Sequence, residues 1–299
     1  MLAQQLKNSL YFTGGLAALM LASAKHKVHG YSTPTGFPPS DWERSAKNAN
    51  LIVEDYRKNA EIDGRRFSFG GARVLELGPG LTLGTGVLLA GLGIKSYRAI
   101  DAFPLARSTS AGFYTSLANG SLLDGLDRER VLAAARSLIA DDPTFISYSV
   151  DPTFDVCKLV EDRKFDLIVS NAAFEHFDDV DTTIAELSAC AAPGALFMAM
   201  IDFQTHSRFV REEDPNSIYR FPTSIYRALH FPGQPNRWRP RDYARSLIRN
   251  GWVNTCIRSV DTATQRYSTW THEGLAADFQ SEDCDMHVLT GVVVAERPR

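Results

Sequence analysis

Short apolar runs that alternate with helical stretches limit the possible folds of this chain more than any other feature of its sequence. The runs lie at 74–77, 97–100, 145–150, 165–169 and 195–201, and most lead into an acidic or amide residue. Helical stretches separate them at roughly 84–92, 104–118, 127–140 and 180–190. Apolar strands alternating with helices are typical of a mainly parallel sheet covered on both faces. We therefore expect a doubly wound α/β fold that begins at about residue 72.

The end of the chain adds two further strand candidates, at 252–260 and 287–295. No helix of usual length clearly separates them, so a hairpin-like pair is expected. The full expectation is a Rossmann-like, mainly parallel seven-stranded sheet. Residues 72–299 form this domain, residues 1–71 an N-terminal helical and loop extension, and residues 207–241 a lid-like insertion after the fifth strand.

The composition is that of an ordinary globular protein and gives no support to a nucleic-acid partner. The chain has 299 residues, of which 44% are apolar and 22% charged, as in an ordinary globular protein. Its formal net charge is −3 and no basic tract is present, so nothing favours a nucleic-acid partner. Four cysteines lie far apart without a CxxC pair, which indicates reduced thiols. Oligomeric state is left open.

A glycine-rich turn follows the first strand, in the sequence Glu76-Leu77-Gly78-Pro79-Gly80, and the next helix includes Thr85. Glycines at such a turn let the backbone approach a ligand and expose amides at a helix N-terminus. Nicotinamide enzymes use a similar turn, but a carboxylate at position 76 would crowd a pyrophosphate. A carboxylate there suits a positively charged ligand group instead. The alternative is a strand-end charge that points to solvent.

Acidic residues also end the second and third strands. Asp101 stands 21 residues after Gly80 and is followed by Ala102. An acidic residue at this position can accept both ribose hydroxyls of an adenosine. Asp151 could contact the adenine amino group, although a solvated aspartate is nearly as good an explanation.

These motifs resemble class I S-adenosylmethionine-dependent methyltransferases over roughly residues 72–205. The turn at 76–80 resembles the first motif of that family, Asp101 its ribose-binding acid, and 165–176 its fourth-strand segment. The resemblance implies S-adenosyl-L-methionine as cofactor. The cofactor-binding residues would be Glu76, Leu77, Gly78, Gly80, Thr85, Asp101, Ala102, Asp151 and Asn171.

A narrower similarity concerns the turn at 78–86 and the segments 201–206 and 235–243. They are similar to bacterial methyltransferases associated with glycans and polysaccharides, which implies transfer to a hydroxyl of a sugar or glycoside, in a small-molecule or oligosaccharide acceptor. The alternatives are another small-molecule or lipid-linked acceptor, and a nonenzymatic protein that only binds S-adenosylmethionine. A nicotinamide oxidoreductase is a further alternative, against which Glu76 and the segment 171–176 count.

A hydroxyl acceptor needs help to lose its proton, and histidine suits this role near neutral pH. His176 follows the fourth strand and His206 the fifth, so both should lie at the carboxyl edge of the sheet, where active sites form. Asp202 could orient whichever histidine acts. Together with Glu175 these residues could instead bind a divalent ion. No tight ligand spacing such as HxxxH is present, so we expect a histidine base and no metal.

Two segments outside the sheet have more than one interpretation. The insertion at 207–241 has six large aromatic residues and seven arginines, typical of an acceptor-binding lid or of a surface cap. The apolar stretch Leu10–Ala24 resembles a signal peptide, but it is too short for a confident membrane span. Because export would separate the enzyme from its cofactor, we expect a retained N-terminal helix packed on the domain and a cytoplasmic protein. Peripheral membrane contact stays open.

Overall fold

The computed structural model describes residues 2–30, 40–121 and 124–299. The proline-containing segment with Pro34, Pro38 and Pro39 lies outside the described residues. After it, within the expected helical and loop extension, a helix begins at Trp42, where Asp41 caps the N-terminus by accepting a hydrogen bond from the backbone amide of Arg44 at 3.1 Å.

One seven-stranded sheet organises the chain. Its strands are β1 (Arg73–Leu77), β2 (Ser96–Asp101), β3 (Ile146–Val150), β4 (Phe165–Asn171), β5 (Ala191–Asp202), β6 (Val253–Thr262) and β7 (Val288–Glu296). Their spatial order is β3-β2-β1-β4-β5-β7-β6. The first five strands pair in parallel, and β7 runs antiparallel to both β5 and β6. The strand order reverses between β1 and β4, which is where open α/β sheets bind ligands.

The helices are α1 (Leu2–His29), α2 (Trp42–Glu61), α3 (Gly84–Ala90), α4 (Ala111–Asn119), α5 (Arg128–Ile139), α6 (Val156–Val160), α7 (Val180–Cys190), α8 (Arg208–Arg211), α9 (Thr223–Ala228), α10 (Pro240–Arg249) and α11 (Gln265–Thr271). The expected helix at 104–118 is wrong at its start. A 3₁₀ turn spans Leu105–Ser108, and α4 begins only after Ser110, whose hydroxyl accepts from the backbone amide of Phe113. The expected β6–β7 pairing is confirmed, but α11 and three 3₁₀ turns separate the two strands.

Two layers of helices bury the two faces of the sheet. Val74 and Leu167 face the layer that contains α2, α3, α4 and α5. Leu75 and Ile168 face the layer that contains α6, α7 and α10. Successive residues of β1 and β4 are therefore buried on opposite faces, which explains why these strands are continuous apolar runs rather than alternating ones. The doubly wound prediction is confirmed.

The N-terminal helix α1 lies against the insertion that follows β5. Leu19 packs in an apolar cluster with Tyr219 and Phe221. Arg220 is fully buried, forms a bidentate pair with Asp214 and donates to the side-chain oxygen of Asn8 on α1 at 2.8 Å. The expected helix packed on the domain is therefore present. None of the helices within the described ranges is long and apolar enough to cross a membrane.

Candidate active site

A cavity of about 950 Å³ opens at the carboxyl ends of β1, β2, β3 and β4. Six of the predicted cofactor-binding residues line it, namely Glu76, Gly78, Gly80, Asp101, Ala102 and Asn171. They come from three separate strand ends, which the parallel sheet brings to one edge. This cavity is at the switch point of the strand order, as expected for a ligand site in this fold.

The glycine turn after β1 forms the floor of this cavity. Gly78 and Gly80 have φ values of +65° and +70°, a region that side chains other than glycine rarely adopt. A Cβ on Gly78 would lie 2.5 Å from the Cβ of Ala173, so the turn also packs tightly against the end of β4. A Cβ on Gly80 would meet no described atom within 4 Å, because this residue borders open space. The turn therefore leaves room for a ligand at the backbone.

Glu76 is buried, with 2% of its surface exposed, yet it lines the cavity. Burial raises the pKa of its carboxyl from 4.5 to about 7, although the neighbouring hydroxyls of Tyr97 and Tyr56 lower it in part. The Tyr97 hydroxyl donates a hydrogen bond to the carboxylate. A carboxylate held this way, in low dielectric surroundings, is well placed to pair with a cationic ligand group.

Asp101 is also nearly buried and faces the same cavity. Its carboxylate accepts a hydrogen bond from the backbone amide of Phe103 at 3.1 Å. Burial raises its pKa from 3.8 to about 6. Its other carboxylate oxygen is the one that could receive ligand hydroxyls. The cavity offers two carboxylates and a glycine turn. These groups fit the ammonium and the ribose hydroxyls of S-adenosylmethionine.

Three predicted cofactor residues do not line this cavity in the described structure. The side chain of Leu77 points into the core with Leu75, and Thr85 is buried within α3. Asp151 accepts from the backbone amide and the hydroxyl of Thr153, and it pairs with Lys158. These partners hold the pKa of Asp151 well below its usual range. Thr153 and Phe154 line the cavity in its place.

Sequence reasoning missed the contribution of α2. Ser45, Asn48 and Ile52 of this helix line the cavity opposite the strand ends. Their spacing of three and four residues places them on one helical face. The spacing in the sequence indicates that the three residues share a helical face. Only the tertiary packing shows that this face meets the edge of the sheet.

A second, larger cavity of about 1290 Å³ forms a groove between α1 and the insertion. Most of its walls are apolar. From α1 it receives Leu10, Gly14, Gly15, Ala17, Ala18, Leu19, Leu21 and Ala22, and from the insertion Phe209, Val210, Ile218, Phe221, Tyr226 and Phe231. We refer to it as the apolar groove.

His176 lines both the first cavity and the apolar groove. Its Nδ1 lies 2.6 Å from the carbonyl oxygen of Gly233, so in the neutral ring Nδ1 donates and Nε2 keeps its lone pair. Burial and the neighbouring His206 lower its pKa from 6.5 to about 4. His176 therefore lies where the two cavities meet, at the carboxyl edge of the sheet.

The other predicted catalytic residues gather around His176. Nε2 of His206 lies 3.6 Å from Oδ2 of Asp202, and Arg211 donates to the same oxygen at 2.6 Å. Burial raises the pKa of Asp202, but His206 and Arg211 outweigh this and lower it overall. Glu175 is 3% exposed, and burial raises its pKa well above the ordinary value. The structure thus brings all four predicted residues together.

Two arginines of the insertion, Arg237 and Arg239, hold it in place through hydrogen bonds to backbone carbonyl groups. Arg237 donates to the carbonyl oxygen of Phe221 at 2.7 Å, and Arg239 to those of Asp285 and Val288 at 2.6 and 2.7 Å. Both side chains are buried. Four of the six large aromatic residues of the insertion line the apolar groove, namely Phe209, Phe221, Tyr226 and Phe231.

The fold and the carboxylate-lined cavity define a class I S-adenosylmethionine-dependent methyltransferase. A family model described as a methyltransferase domain matches residues 46–257, and the chain belongs to this family. Its cofactor is S-adenosylmethionine. The search of the curated proteins found no match.

Several solved structures are similar to the chain. The carbon methyltransferase of CurJ is 15% identical over 99% of this chain and 70% of its own, with a TM-score of 0.46. A putative S-adenosylmethionine-dependent methyltransferase from Listeria monocytogenes is 16% identical over 83% of this chain and 100% of its own, with a TM-score of 0.45. An S-adenosylmethionine-dependent methyltransferase from Mesorhizobium loti is 18% identical over 82% of this chain and 98% of its own, with a TM-score of 0.43.

Proposed function

We propose that this methyltransferase transfers the methyl group to a hydroxyl of a glycoside or lipid-linked sugar whose remaining part is apolar. The observation that carries this proposal is the position of His176, which borders both the cofactor cavity and the apolar groove. Gly233 also lines both cavities, so an acceptor lying in the groove can meet the cofactor beside His176 and Gly233.

In this proposal Glu76 binds the ammonium of the cofactor and Asp101 binds its ribose. S-adenosylmethionine supplies a methyl group on a sulfonium, which is already an activated leaving group. The protein must therefore align the acceptor oxygen with the methyl carbon and exclude water. The main chain of Gly78 and Gly80 fixes the cofactor against the sheet, and the groove fixes the acceptor.

The polar cluster of Glu175, His176, Asp202 and His206 supports a hydroxyl as the acceptor group. A protonated hydroxyl is a poor nucleophile, whereas an amine attacks without such help once neutral. His176 offers Nε2 as a proton acceptor because Nδ1 faces the carbonyl oxygen of Gly233. Asp202 lies beside His206 and can orient that ring. Buried titratable groups gathered beside a cavity are typical of active sites.

The apolar groove supports an acceptor that has an apolar part. Phe221, Tyr226 and Phe231 offer ring faces, against which sugar rings and flat apolar groups stack. Beyond them the wall consists of small and aliphatic residues of α1 such as Ala18 and Leu21. A free sugar would leave this wall in contact with water. We therefore place the sugar near His176 and the apolar part along α1.

Methyl transfer from labelled S-adenosylmethionine into a matched acceptor series tests this function. The series contains a free sugar, its methyl glycoside and its octyl glycoside, together with an alkylamine. We expect methylation of the octyl glycoside at a hydroxyl, with a much lower KM than for the methyl glycoside. Methylation of the amine alone would contradict a hydroxyl acceptor. Tight cofactor binding without transfer to any acceptor would favour a nonenzymatic binding protein.

A groove variant separates the apolar part of the acceptor from the rest of the proposal. Ala18→Phe fills the groove, and we expect it to raise the KM for the octyl glycoside on the order of tenfold, the scale of losing one buried apolar segment. Ala24→Phe is the control, since Ala24 is exposed on the same helix and does not line the groove. Equal effects of both variants would contradict the placement of the acceptor.

A further inference from the structure

We propose that Glu175, His176 and His206 bind a divalent transition-metal ion, and that this ion ligates the acceptor hydroxyl. The inference rests on the proposed function, because it states how the hydroxyl loses its proton. It replaces the histidine base expected from the sequence with an ion held by the same side chains.

The three side chains have the geometry of a ligand set. One nitrogen or oxygen atom from each lies within 4.8 Å of the others. Ligands bound to one ion at about 2.1 Å lie at most about 4.2 Å apart, so only a small contraction closes the set around an ion. Glu175 and His176 lie on the 3₁₀ turn after β4, and His206 follows β5, so neighbouring strand ends fix their positions.

Glu175 gives the strongest indication that a ligand is bound here. Both of its carboxylate oxygens are buried, and neither has a hydrogen-bond partner among the described residues. A buried carboxylate without partners is costly, and such groups in proteins are normally paired or bound to a metal. Protonation would remove the charge but would leave a buried hydroxyl without an acceptor. A cation satisfies both oxygens directly.

The two histidines are prepared to act as ligands. The carbonyl oxygen of Gly233 holds Nδ1 of His176, as backbone carbonyls commonly hold the second nitrogen of metal-bound histidines. Nε2 of His206 is buried and has no hydrogen-bond partner within the described part of the chain. Asp202 lies 3.6 Å from that nitrogen and is held by Arg211, so it borders the site without completing it.

The donor set indicates which ions fit. One carboxylate and two imidazoles suit first-row transition ions such as Mn²⁺, Fe²⁺ and Zn²⁺, whereas Ca²⁺ and Mg²⁺ prefer oxygen ligands alone. Three protein ligands leave coordination positions open for an acceptor oxygen. Since His176 lines both cavities, an open position can face the cofactor and the apolar groove together.

The bonds, protons and electrons of the reaction at such an ion can be accounted for step by step. The acceptor hydroxyl binds the ion, which lowers its pKa, and its proton leaves to water in the groove. The resulting oxygen attacks the methyl carbon, a carbon–oxygen bond forms and the carbon–sulfur bond breaks. The products are the methyl ether, S-adenosylhomocysteine and one proton. No electron is gained or lost by the ion.

Mn²⁺ binding to the full chain tests the site without relying on activity. The chain is treated with a chelator, dialysed and titrated with Mn²⁺, and bound ion is measured by electron paramagnetic resonance and calorimetry. We expect one ion per chain. Glu175→Gln and His206→Ala should weaken binding at least about tenfold, the usual scale for losing a metal ligand or its support. His272→Ala is the matched control, because His272 is exposed, contacts the carbonyl oxygen of Gln280 and does not line either cavity.

Folding of the variants is checked by S-adenosylmethionine binding, which should stay unchanged, and by thermal denaturation. Mn²⁺ should raise the Tm of the unaltered chain and of His272→Ala but not that of Glu175→Gln. Absence of Mn²⁺ binding with full turnover after chelation overturns the metal site and leaves the proposed function standing. Mn²⁺ binding without methylation of any hydroxyl overturns the proposed function and leaves the metal site standing.

Discussion

His176 and His206 lie edge to face, with their ring centroids 4.7 Å apart, where the cofactor cavity meets the apolar groove. The two rings come from segments that follow β4 and β5, which are neighbours in the sheet. Because parallel strands end at the same edge, the fold brings together residues 30 positions apart in the sequence. The sheet that positions the cofactor therefore also positions the groups that act on the acceptor.

Asp101 should contribute measurably to cofactor affinity. Asp101→Ala removes an acceptor for the ribose hydroxyls, and we expect binding of S-adenosylmethionine to weaken by about 1–3 kcal/mol, the scale for hydrogen bonds to a charged group. Isothermal titration calorimetry measures this. Asp151→Ala is the control and should have little effect, because its carboxylate is occupied by Thr153 and Lys158. Equal losses in both variants would contradict the assignment.

Cofactor affinity should depend on pH through Glu76. Its pKa of about 7 means that the carboxyl is largely neutral at pH 6 and largely ionised at pH 8. An ionised carboxylate attracts the ammonium of the cofactor, so the affinity should rise about tenfold over this interval. Glu76→Gln should flatten that rise and leave only the part due to Asp101, whose pKa is about 6. An unchanged slope in this variant would remove Glu76 from the site.

Ionisation of Glu76 should lower the stability of the free protein, although it should strengthen cofactor binding. Between about pH 4.5 and about pH 7 the folded chain holds a proton on Glu76 that the unfolded chain has released. The contribution of this group to the free energy of unfolding should therefore fall as the pH rises through that window. Urea denaturation at several pH values, compared with Glu76→Gln, isolates this contribution. A contribution that rises with pH would mean that the pKa of the carboxyl in the folded chain lies below its unfolded value.

The sheet and the strand-end residues could be predicted because a parallel strand that is buried on both faces must be apolar until it ends. Asp101 and Asn171 follow this rule and line the cavity, and Glu76, which also lines it, stands one residue before the end of β1. Asp151 follows it too, but Lys158 lies seven residues further on and binds its carboxylate. The sequence around the strand ends does not show that the carboxylate of Asp151 is already paired whereas that of Asp101 faces the cavity.

Residues that depend on packing between distant segments could not be predicted in this way. Asn48 of α2 lines the cofactor cavity, yet nothing near it in the sequence marks the sheet edge it meets. Arg237 and Arg239 look like anion-binding residues in the sequence, but backbone carbonyl groups of neighbouring loops accept their hydrogen bonds. Long side chains with several donors can serve either role, and only the three-dimensional contacts distinguish them.

Loss of either histidine should reduce turnover far more than cofactor binding. His176→Ala and His206→Ala should each lower kcat by about 10²- to 10⁴-fold, the scale expected when activation of the hydroxyl is lost. S-adenosylmethionine affinity should change far less, because Glu76, Asp101 and the glycine turn make the proposed cofactor contacts. Asp202→Asn should give a smaller loss in the same direction, since it orients His206. Near-normal turnover in both alanine variants would mean that alignment alone drives the reaction.

The buried pair of Arg220 and Asp214 should be needed to hold the insertion and α1 together. Both side chains are 0% exposed, and Asp214 also accepts from the Tyr267 hydroxyl at 2.7 Å. Asp214→Asn leaves the buried guanidinium uncompensated, so we expect the free energy of unfolding to fall by about 3–5 kcal/mol. The exposed pair of Arg245 and Asp283 provides the control. Arg245→Ala should cost at most about 1 kcal/mol, as surface ion pairs do. Urea denaturation compares the two variants, and equal losses would mean that the buried pair does not fasten the insertion.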